Sequence, residues 1–247
     1  MNIGVIFAGG VGRRMKNNGA PKQFLNLYGD PVIVHTLRKF QNNPLIDQII
    51  IVMLEQYIPF TQKLVDKNGL TKVAKIVPGG NTGQESIYNG LNAAQELFGL
   101  EDNIVLIHDG VRPYFESDLI ERCINSVKEY GSAISSVPAT ETIAQVEDGN
   151  ILGTTDRSKS FLARAPQCFK LADIFEWHNK ARSEGRDNII DSCSMMLTYG
   201  DKAPHLVETC PENVKVTTPL DYYIMRAVIE AQDQLVAPDV NIEDYQL

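Results

Sequence analysis

Short apolar runs alternate with longer amphipathic segments along the first 140 residues of the chain. Each run stops at glycine, proline or a polar cluster, which is typical of a strand that is buried on both faces. The predicted strands are residues 3–7, 46–53, 73–77, 103–107 and 133–137. The amphipathic segments have apolar residues at helical spacing and predict helices at residues 31–40, 85–98 and 117–130. This alternation predicts a mostly parallel α/β sheet with helices on both faces.

The pattern changes after residue 140. Two short alternating runs, residues 142–146 and 151–155, flank Asp148-Gly149, and this arrangement is a hairpin signal. We interpret residues 139–161 as a β-arm that projects from the α/β body. The later elements are two helices, a strand and a final helix, predicted at residues 171–184, 190–199, 214–217 and 219–236. The simplest organisation is one domain over residues 1–235, followed by an acidic tail at residues 236–247.

Charge and cysteine content narrow the class of protein. The 247 residues carry a net charge of −8, which argues against a nucleic-acid binder, because such a protein shows a basic patch. The negative net charge does not exclude a small anionic ligand, because the site for such a ligand needs only a few local cations. The four cysteines lack CxxC spacing and predict reduced thiols in a cytoplasmic protein. The apolar start is too short for a signal sequence or a membrane span, so we expect no membrane association.

Three segments follow predicted strand ends, at residues 8–15, 79–86 and 108–112. In parallel α/β sheets, ligands bind at the carboxyl ends of the strands. We therefore expect the three segments to converge on one crevice, although they lie far apart in the sequence.

The first segment reads Ala-Gly-Gly-Val-Gly-Arg-Arg-Met over residues 8–15. Its glycines, Gly9, Gly10 and Gly12, allow backbone N–H groups to approach phosphate oxygens closely. Their spacing matches neither the dinucleotide fingerprint nor the P-loop. Arg14 and Lys22 add the permanent positive charges that a triphosphate requires. The alternative for the glycine segment is an ordinary strand-to-helix turn, and the alternative for Lys22 is a solvated surface lysine.

The third segment reads Ile-His-Asp-Gly-Val-Arg-Pro over residues 107–113. Asp109, at the end of a strand, is well placed to hold Mg²⁺ beside phosphates. Arg112 is a candidate contact for the phosphate of a second substrate. A capping aspartate with an ion-paired arginine is the alternative. We expect His108 to be packed or hydrogen-bonded rather than catalytic, because nucleotidyl transfer seldom needs a histidine base.

Two further segments carry candidate residues. Gly80, Asn81 and Ser86 could offer backbone groups and a hydroxyl to a base or ribose, or could form a turn followed by a helix N-cap. Lys215 alternates with two valines in the strand predicted at residues 214–217. If it faces inward it meets phosphate, and if it faces outward it is only a solvated charge.

The order and spacing of these motifs resemble one enzyme family. The motifs are Ala-Gly-Gly-x-Gly-x-Arg-Met, Pro-Lys-Gln-Phe, Gly-Gly with a following Ser, His-Asp-x-Val-Arg-Pro, Ala-Pro-Gln-x-Phe and Asn-x-Lys-Val-Thr-Thr-Pro-x-Asp. In residues 1 to about 232, the chain is similar to the cytidylyltransferases that act on 2-C-methyl-D-erythritol 4-phosphate and on ribitol 5-phosphate.

The resemblance implies a Rossmann-like fold of the nucleotide-diphospho-sugar transferase type, Mg²⁺, CTP, a small polyol phosphate and a homodimer. It implies that the β-arm of one protomer reaches the active site of its partner. The residues implied around CTP and the metal are Ala8, Gly9, Gly10, Arg14, Lys22, Gly80, Asn81, Ser86, Asp109 and Gly110. Those implied at acceptor or phosphate contacts are Arg112, Lys215, Thr142 and Arg157, the last two from the partner's arm.

Three residues depart from the family pattern. Gly83 stands where the family usually has arginine, and Gly110 replaces the commoner alanine. Ala165 stands where the family has threonine, so the site lacks a hydroxyl that is expected near the acceptor. Because a lost hydrogen-bond partner should favour a differently shaped acceptor, we favour ribitol 5-phosphate or a similar polyol phosphate over methylerythritol phosphate.

The predicted reaction is in-line attack by the acceptor phosphate on the α-phosphorus of CTP, with release of pyrophosphate. Both reactants are anions, so Arg14, Lys22 and Lys215 are predicted to neutralise and align them. Two readings from other classes stay open. One is a catalytically silent nucleotide-binding sensor. The other is an NAD-dependent oxidoreductase, against which the glycine spacing argues.

Overall fold

The computed structural model describes residues 1–10 and 21–231. The strands of this part are β1 (Asn2–Ala8), β2 (Asn26–Leu27), β3 (Asp30–Pro31), β4 (Gln48–Met53), β5 (Val73–Pro78), β6 (Ile104–Asp109), β7 (Ser132–Pro138), β8 (Ala144–Glu147), β9 (Asn150–Thr154), β10 (Phe161–Lys170) and β11 (Leu206–Glu208). The α-helices are α1 (Val32–Gln41), α2 (Ile58–Lys67), α3 (Gly83–Phe98), α4 (Leu119–Tyr130), α5 (Leu171–Ser183), α6 (Ser192–Tyr199) and α7 (Pro219–Ala231).

Seven of these strands form the central sheet, in the order β11-β7-β10-β6-β1-β4-β5. β1 lies inside the sheet and pairs in parallel with β4 and β6, while β5 extends the parallel part beyond β4. β10 is antiparallel to both of its neighbours, β6 and β7. The mostly parallel sheet predicted from the alternation of strands and helices is confirmed.

Helices cover both faces of the sheet. Along β1, Ile6 packs into a cluster with residues of α1, α2 and α4. Its neighbours Ile3 and Val5 point to the opposite face and pack with residues of α3, α5 and α6. Successive side chains of a strand point to opposite faces, so a strand buried on both sides needs a continuous apolar run, which β1 has.

The segment at residues 213–217 is not a strand, so the strand predicted there is wrong. Val216 is fully buried in a third cluster, where it packs with Val111 and with Met225 of α7. The backbone N–H of Val216 donates to the carbonyl of Val111 at 2.9 Å. Apolar alternation here reflects burial against a helix and a loop rather than membership of the sheet.

Five strands and α-helices were not predicted from the sequence: α2, β10, β11 and the two-residue strands β2 and β3. The ten residues of β10 contain an arginine and a proline, which obscure any strand pattern. β11 has three residues and lies at the edge of the sheet, so its apolar signal is short.

The hairpin predicted around Asp148-Gly149 is confirmed. β8 and β9 form their own two-stranded antiparallel sheet. Asp148 and Gly149 have φ angles of 49° and 79°, as a type I′ turn requires at its two central positions. The hairpin exposes large apolar side chains, with Val146 at 61% and Ile151 at 70% of full exposure. The final helix is described to Ala231, and residues 232–247, including the predicted tail, lie outside the described part.

In the described part of the chain, no helix is both long enough and apolar enough to cross a membrane.

Gly90 lets α3 lie close against the sheet, and this closeness gives a stability prediction. A Cβ at this position would lie 2.5 Å from Cγ1 of Val5 and 2.8 Å from Cγ2 of Val52. Because overpacking of a close-packed interior typically costs about 1–3 kcal/mol, Gly90→Ala should lower the free energy of unfolding by that amount in urea denaturation. Gly83→Ala is the matched control, because a Cβ there meets nothing within 4 Å. Equal effects of the two substitutions would contradict the prediction.

Candidate active site

A cavity of about 620 Å³ opens at the carboxyl ends of β1, β5 and β6. Its volume lies in the range of small-molecule and cofactor sites. The three distant segments that the sequence predicted to converge do so in their described parts, which for the first segment are residues 8–10. The candidate residues that line the cavity are Ala8, Gly9, Gly10, Lys22, Gly80, Asn81, Ser86, Asp109 and Lys215. Gly12 and Arg14 lie outside the described residues.

Ser86 is hydrogen-bonded to the loop that follows β5 and lies near Gly9, in the loop that follows β1. Its hydroxyl accepts a hydrogen bond from the backbone N–H of Gly80 at 3.0 Å and donates to the carbonyl of Thr82 at 2.9 Å. A Cβ on Gly79 would lie 3.2 Å from this oxygen, and a Cβ on Gly9 would lie 3.6 Å from it. The glycines therefore let two loops approach one hydroxyl, and the backbone of both faces the cavity.

The N-terminus of α3 lies at the wall of the cavity. Thr82 caps the helix by accepting from the N–H of Glu85 at 3.1 Å, and Glu85 accepts from the N–H of Asn81 at 2.7 Å. This arrangement resembles a capping box, except that Glu85 bonds the residue before the N-cap. The helix-cap alternative therefore describes the local structure of this segment. A Cβ on Gly80 would overlap the side chain of Glu85. Packing against Glu85 therefore requires a glycine at position 80, and this glycine also lines the cavity.

Lys22 is 8% exposed and begins a short 3₁₀ turn, Lys22–Phe24. The next residue, Gln23, is fully enclosed, and its amide donates to the carbonyl of Ala8 at 2.7 Å. This bond fixes the turn to the end of β1. Lys22 was predicted as a site residue, whereas Gln23 was not, although it belongs to the same Pro-Lys-Gln-Phe motif.

Asp109 lies between two cations at the end of β6. One carboxylate oxygen is 2.6 Å from Nζ of Lys215, and the other is 2.8 Å from Nε of Arg112. Burial alone would raise the pKa of Asp109, but Arg112 and Lys215 outweigh burial and hold the pKa well below its ordinary value. Two cations and one anion leave this cluster with a net charge of +1, which suits an anionic ligand.

Lys215 faces inward, although the strand predicted around it is absent. Its ammonium lies 5.8 Å above the ring of Phe7 as well as against Asp109. The burial of Val216 in the cluster below α7 turns the lysine toward the cavity. Lys215 is partly open to solvent, with 38% of its side chain exposed.

Arg112 is 7% exposed and is not among the residues that line the cavity. Besides Asp109, it donates to the carbonyl of Asn213 at 2.8 Å. Asn213 in turn donates from its amide to the carbonyl of Ala165 at 2.7 Å. Asn213 begins one of the family motifs but was not predicted as a site residue, because its two bonds are made to residues far away in the chain. In this conformation Arg112 positions other groups, and its contact with an acceptor stays a prediction.

His108 and Gly110 flank Asp109, and both are closely packed against neighbouring residues. His108 is fully buried, and burial is the main reason why its pKa falls to about 4. Its ring lies 5.2 Å from those of Phe40 and Phe115, and its Nε2 is 3.1 Å from the carbonyl of Arg112. A Cβ on Gly110 would lie 2.8 Å from Cβ of Ala8, so these two strand ends are in close contact.

Thr142 and Arg157 do not line the cavity of their own protomer. Both are exposed, on the two segments that join the β8–β9 hairpin to the sheet. Arg157 donates to the carbonyl of Thr140 at 3.5 Å. Their assignment to a partner's acceptor site stays a prediction.

The residues at the cavity fit Mg²⁺ only in a limited way. The described residues contain no cluster of three or more His, Cys, Asp or Glu that could hold a metal. Asp109 is a single ionised carboxylate, and each of its oxygens keeps acceptor capacity after its bond to a cation. Mg²⁺ is commonly bound by one or two carboxylates together with substrate phosphates. Asp109 therefore fits an ion that is held mainly by a triphosphate.

Residues 3–231 match the model of the family described as IspD, 2-C-methyl-D-erythritol 4-phosphate cytidylyltransferase. The chain belongs to this family. A relative from Vibrio parahaemolyticus, named ribitol-5-phosphate cytidylyltransferase, is 47% identical over 95% of this chain and 98% of its own. A relative from Clostridium acetobutylicum, named 2-C-methyl-D-erythritol 4-phosphate cytidylyltransferase, is 40% identical over 93% of this chain and 98% of its own.

The fold also matches solved structures of the cytidylyltransferase family. The crystal structure of Francisella tularensis 2-C-methyl-D-erythritol 4-phosphate cytidylyltransferase has a TM-score of 0.75 and 27% sequence identity. The match covers 92% of this chain and 98% of that one. The α/β fold and the family resemblance inferred from the motifs are thus confirmed.

The two cations of the Asp109 cluster should differ in what they contribute to stability. Arg112→Met removes one partner of a buried ion pair, so we expect a loss of about 3–5 kcal/mol in the free energy of unfolding. Lys215→Met should lower it by less than about 1 kcal/mol, because solvent screens this more exposed ammonium and water can replace it. Urea denaturation of the two variants measures both values. Similar losses would mean that Arg112 is not the structural member of the pair.

Proposed function

We propose that this protein transfers the cytidylyl group of CTP to ribitol 5-phosphate, with release of pyrophosphate. The observation that carries the proposal is one cavity that brings the glycine loops of β1 and β5 together with Lys22, Asp109 and Lys215. Family membership makes the nucleotide CTP. For the acceptor, the support is similarity: relatives named ribitol-5-phosphate cytidylyltransferase are 47% identical, whereas those named for methylerythritol phosphate are 36–40% identical.

In the proposed reaction, an acceptor phosphate oxygen forms a bond with the α-phosphorus of CTP. The bond between the α- and β-phosphates breaks, and its electron pair leaves with pyrophosphate. The acceptor phosphate is already ionised at neutral pH, so no protein nucleophile is required. The work of the protein is to neutralise and align two anions.

The described residues divide this work. Backbone N–H groups of Gly9 and Gly10 lie at the cavity and can approach phosphate oxygens. Lys22 supplies positive charge beside that loop, as Arg14 does by the family pattern. Lys215 is held by Asp109 at the opposite wall, where its ammonium can lie between the phosphates of the two substrates.

The proposal includes Mg²⁺, a homodimer and a cytoplasmic location. Asp109 would hold Mg²⁺ with the triphosphate, and the ion would draw charge from the phosphate oxygens. The exposed apolar side chains of the β8–β9 hairpin, among them Val146 and Ile151, support burial against a second protomer. Thr142 and Arg157 would then serve the acceptor site of the partner. The four unpaired cysteines support a reducing compartment.

An acceptor screen tests the proposed reaction. With CTP and Mg²⁺, we expect ribitol 5-phosphate to give a kcat/KM at least tenfold above that of methylerythritol 4-phosphate, measured by pyrophosphate release. A difference of tenfold corresponds to about 1.4 kcal/mol, which one altered hydrogen-bonding position can supply.

Two other results would change the assignment. Turnover of methylerythritol 4-phosphate alone would keep cytidylyl transfer but replace the acceptor. CTP binding without pyrophosphate release across a broad panel of polyol phosphates would indicate the silent nucleotide sensor.

Lys22→Met tests the cation beside the first loop. The variant keeps the length of the side chain but removes its charge, so we expect kcat to fall about 100-fold or more. The melting temperature should change little, because Met fills a comparable volume. Lys75→Met is the control, since Lys75 pairs with Glu96 on the solvent side of β5. A near-normal kcat for Lys22→Met would remove Lys22 from the mechanism.

A further inference from the structure

The strand β10 has an irregularity beside the Asp109 cluster. On β7, Ser136 pairs with Ala163 and Ile134 pairs with Gln167, so the three residues 164–166 lie opposite Ser135 alone. The hydroxyl of Ser135 donates to the carbonyl of Pro166 at 2.7 Å and holds the bulge in place. Bulges re-aim side chains and are common next to active sites. Arg164 is the first residue of this one.

The bulge is tied to the predicted site by the hydrogen bonds that surround Arg112. The carbonyl of Ala165 accepts from the amide of Asn213, and the carbonyl of Asn213 accepts from Arg112, which also holds Asp109. Ala165 is the position where the expected threonine hydroxyl is missing. Arg164 therefore lies immediately beside the main departure at the acceptor end.

The guanidinium of Arg164 lacks the partners that a partly buried arginine normally has. Its Nε is buried and makes no hydrogen bond, and within the described residues no carboxylate lies within 4.0 Å of the group. Among the residues that the structure describes, the charged group that affects its pKa is Arg112, which has the same sign. Burial first, and then Arg112, lower the pKa of the Arg164 guanidinium. A buried donor without a hydrogen-bond partner is unfavourable, and so is a like charge close to it. A bound anion would remove both costs, because it accepts the hydrogen bond and neutralises the repulsion.

We propose that Arg164, which none of the family motifs contains, is a further residue that binds the phosphate group of the acceptor. The planar guanidinium can donate two parallel hydrogen bonds to a phosphate, a geometry that lysine lacks. Arg164 would then help to determine which acceptor is bound. It would donate hydrogen bonds to the acceptor from the bulge, where Ala165 has no hydroxyl to do so. This inference rests on the proposed cytidylyl transfer.

Direct binding separates this inference from turnover. The enzyme is saturated with Mg²⁺ and the unreactive α,β-methylene analogue of CTP, and ribitol 5-phosphate is titrated by calorimetry. For Arg164→Met, we expect the Kd of ribitol 5-phosphate to rise roughly 10- to 100-fold, because a charged hydrogen-bonded contact is lost. The Kd of the CTP analogue should change less than threefold. Arg164→Lys should give an intermediate Kd, because it keeps the charge and loses the fork.

Lys170→Met is the matched control, because Lys170 is an exposed cation at the far end of the same strand. Melting temperature and sedimentation of each variant check folding and oligomeric state. If Arg164→Met does not fold, Arg164→Lys and Arg164→Gln replace it in the same titrations. An unchanged Kd of the acceptor in folded Arg164 variants would overturn the role of Arg164 alone. An equal loss of CTP-analogue affinity would also overturn it. Absence of acceptor binding to the unaltered enzyme would overturn both this inference and the proposed function.

Discussion

A carboxylate buried at the end of β6 determines how the crevice is assembled. An ionised Asp109 is tolerated inside the protein only because cations surround it. Arg112 comes from the adjacent loop, and Lys215 comes from a segment much later in the chain. Because each takes one carboxylate oxygen, the 213–217 segment is fixed over the crevice, and α7 follows from it. The ion cluster that completes the fold therefore also places an ammonium group at the cavity.

The opposite wall depends on close contact rather than on charge. Ser86 reaches the loops after both β1 and β5 because Gly9 and Gly79 bring no side chains between them. Gly80 leaves room for Glu85, which completes the cap of α3. Packing thus requires Gly79 and Gly80, and Gly80 also lines the cavity as a predicted ligand contact, whereas a Cβ on Gly10 would meet nothing within 4 Å. The two explanations do not compete, because the packing is what presents the backbone N–H groups to the cavity.

The sequence predicts those parts whose signal is local. The apolar runs identified β1 and β4–β7, and the turn residues Asp148 and Gly149 identified the hairpin. Lys22 and Asp109 were found because their residue types and positions after strands have a chemical meaning. The parts that were missed depend on partners far away in the chain. β10 is a strand because β6 and β7 lie on either side of it, and its own sequence has no clear period. The strand predicted around Lys215 left its direction open, and the structure places it at the cavity because its neighbour Val216 is buried on the other side.

The same distinction separates the two ends of the crevice. The nucleotide end is built from short motifs, each of which follows one strand, so its residues can be read in order along the chain. The predicted acceptor end comprises the bulge of β10, the amide of Asn213 and the guanidinium of Arg112, which meet only in the folded protein. A change at one of these positions alters the others through a shared hydrogen bond. The choice of acceptor can therefore shift while the motifs that bind the nucleotide stay intact, which is why family membership identifies CTP more readily than the polyol phosphate.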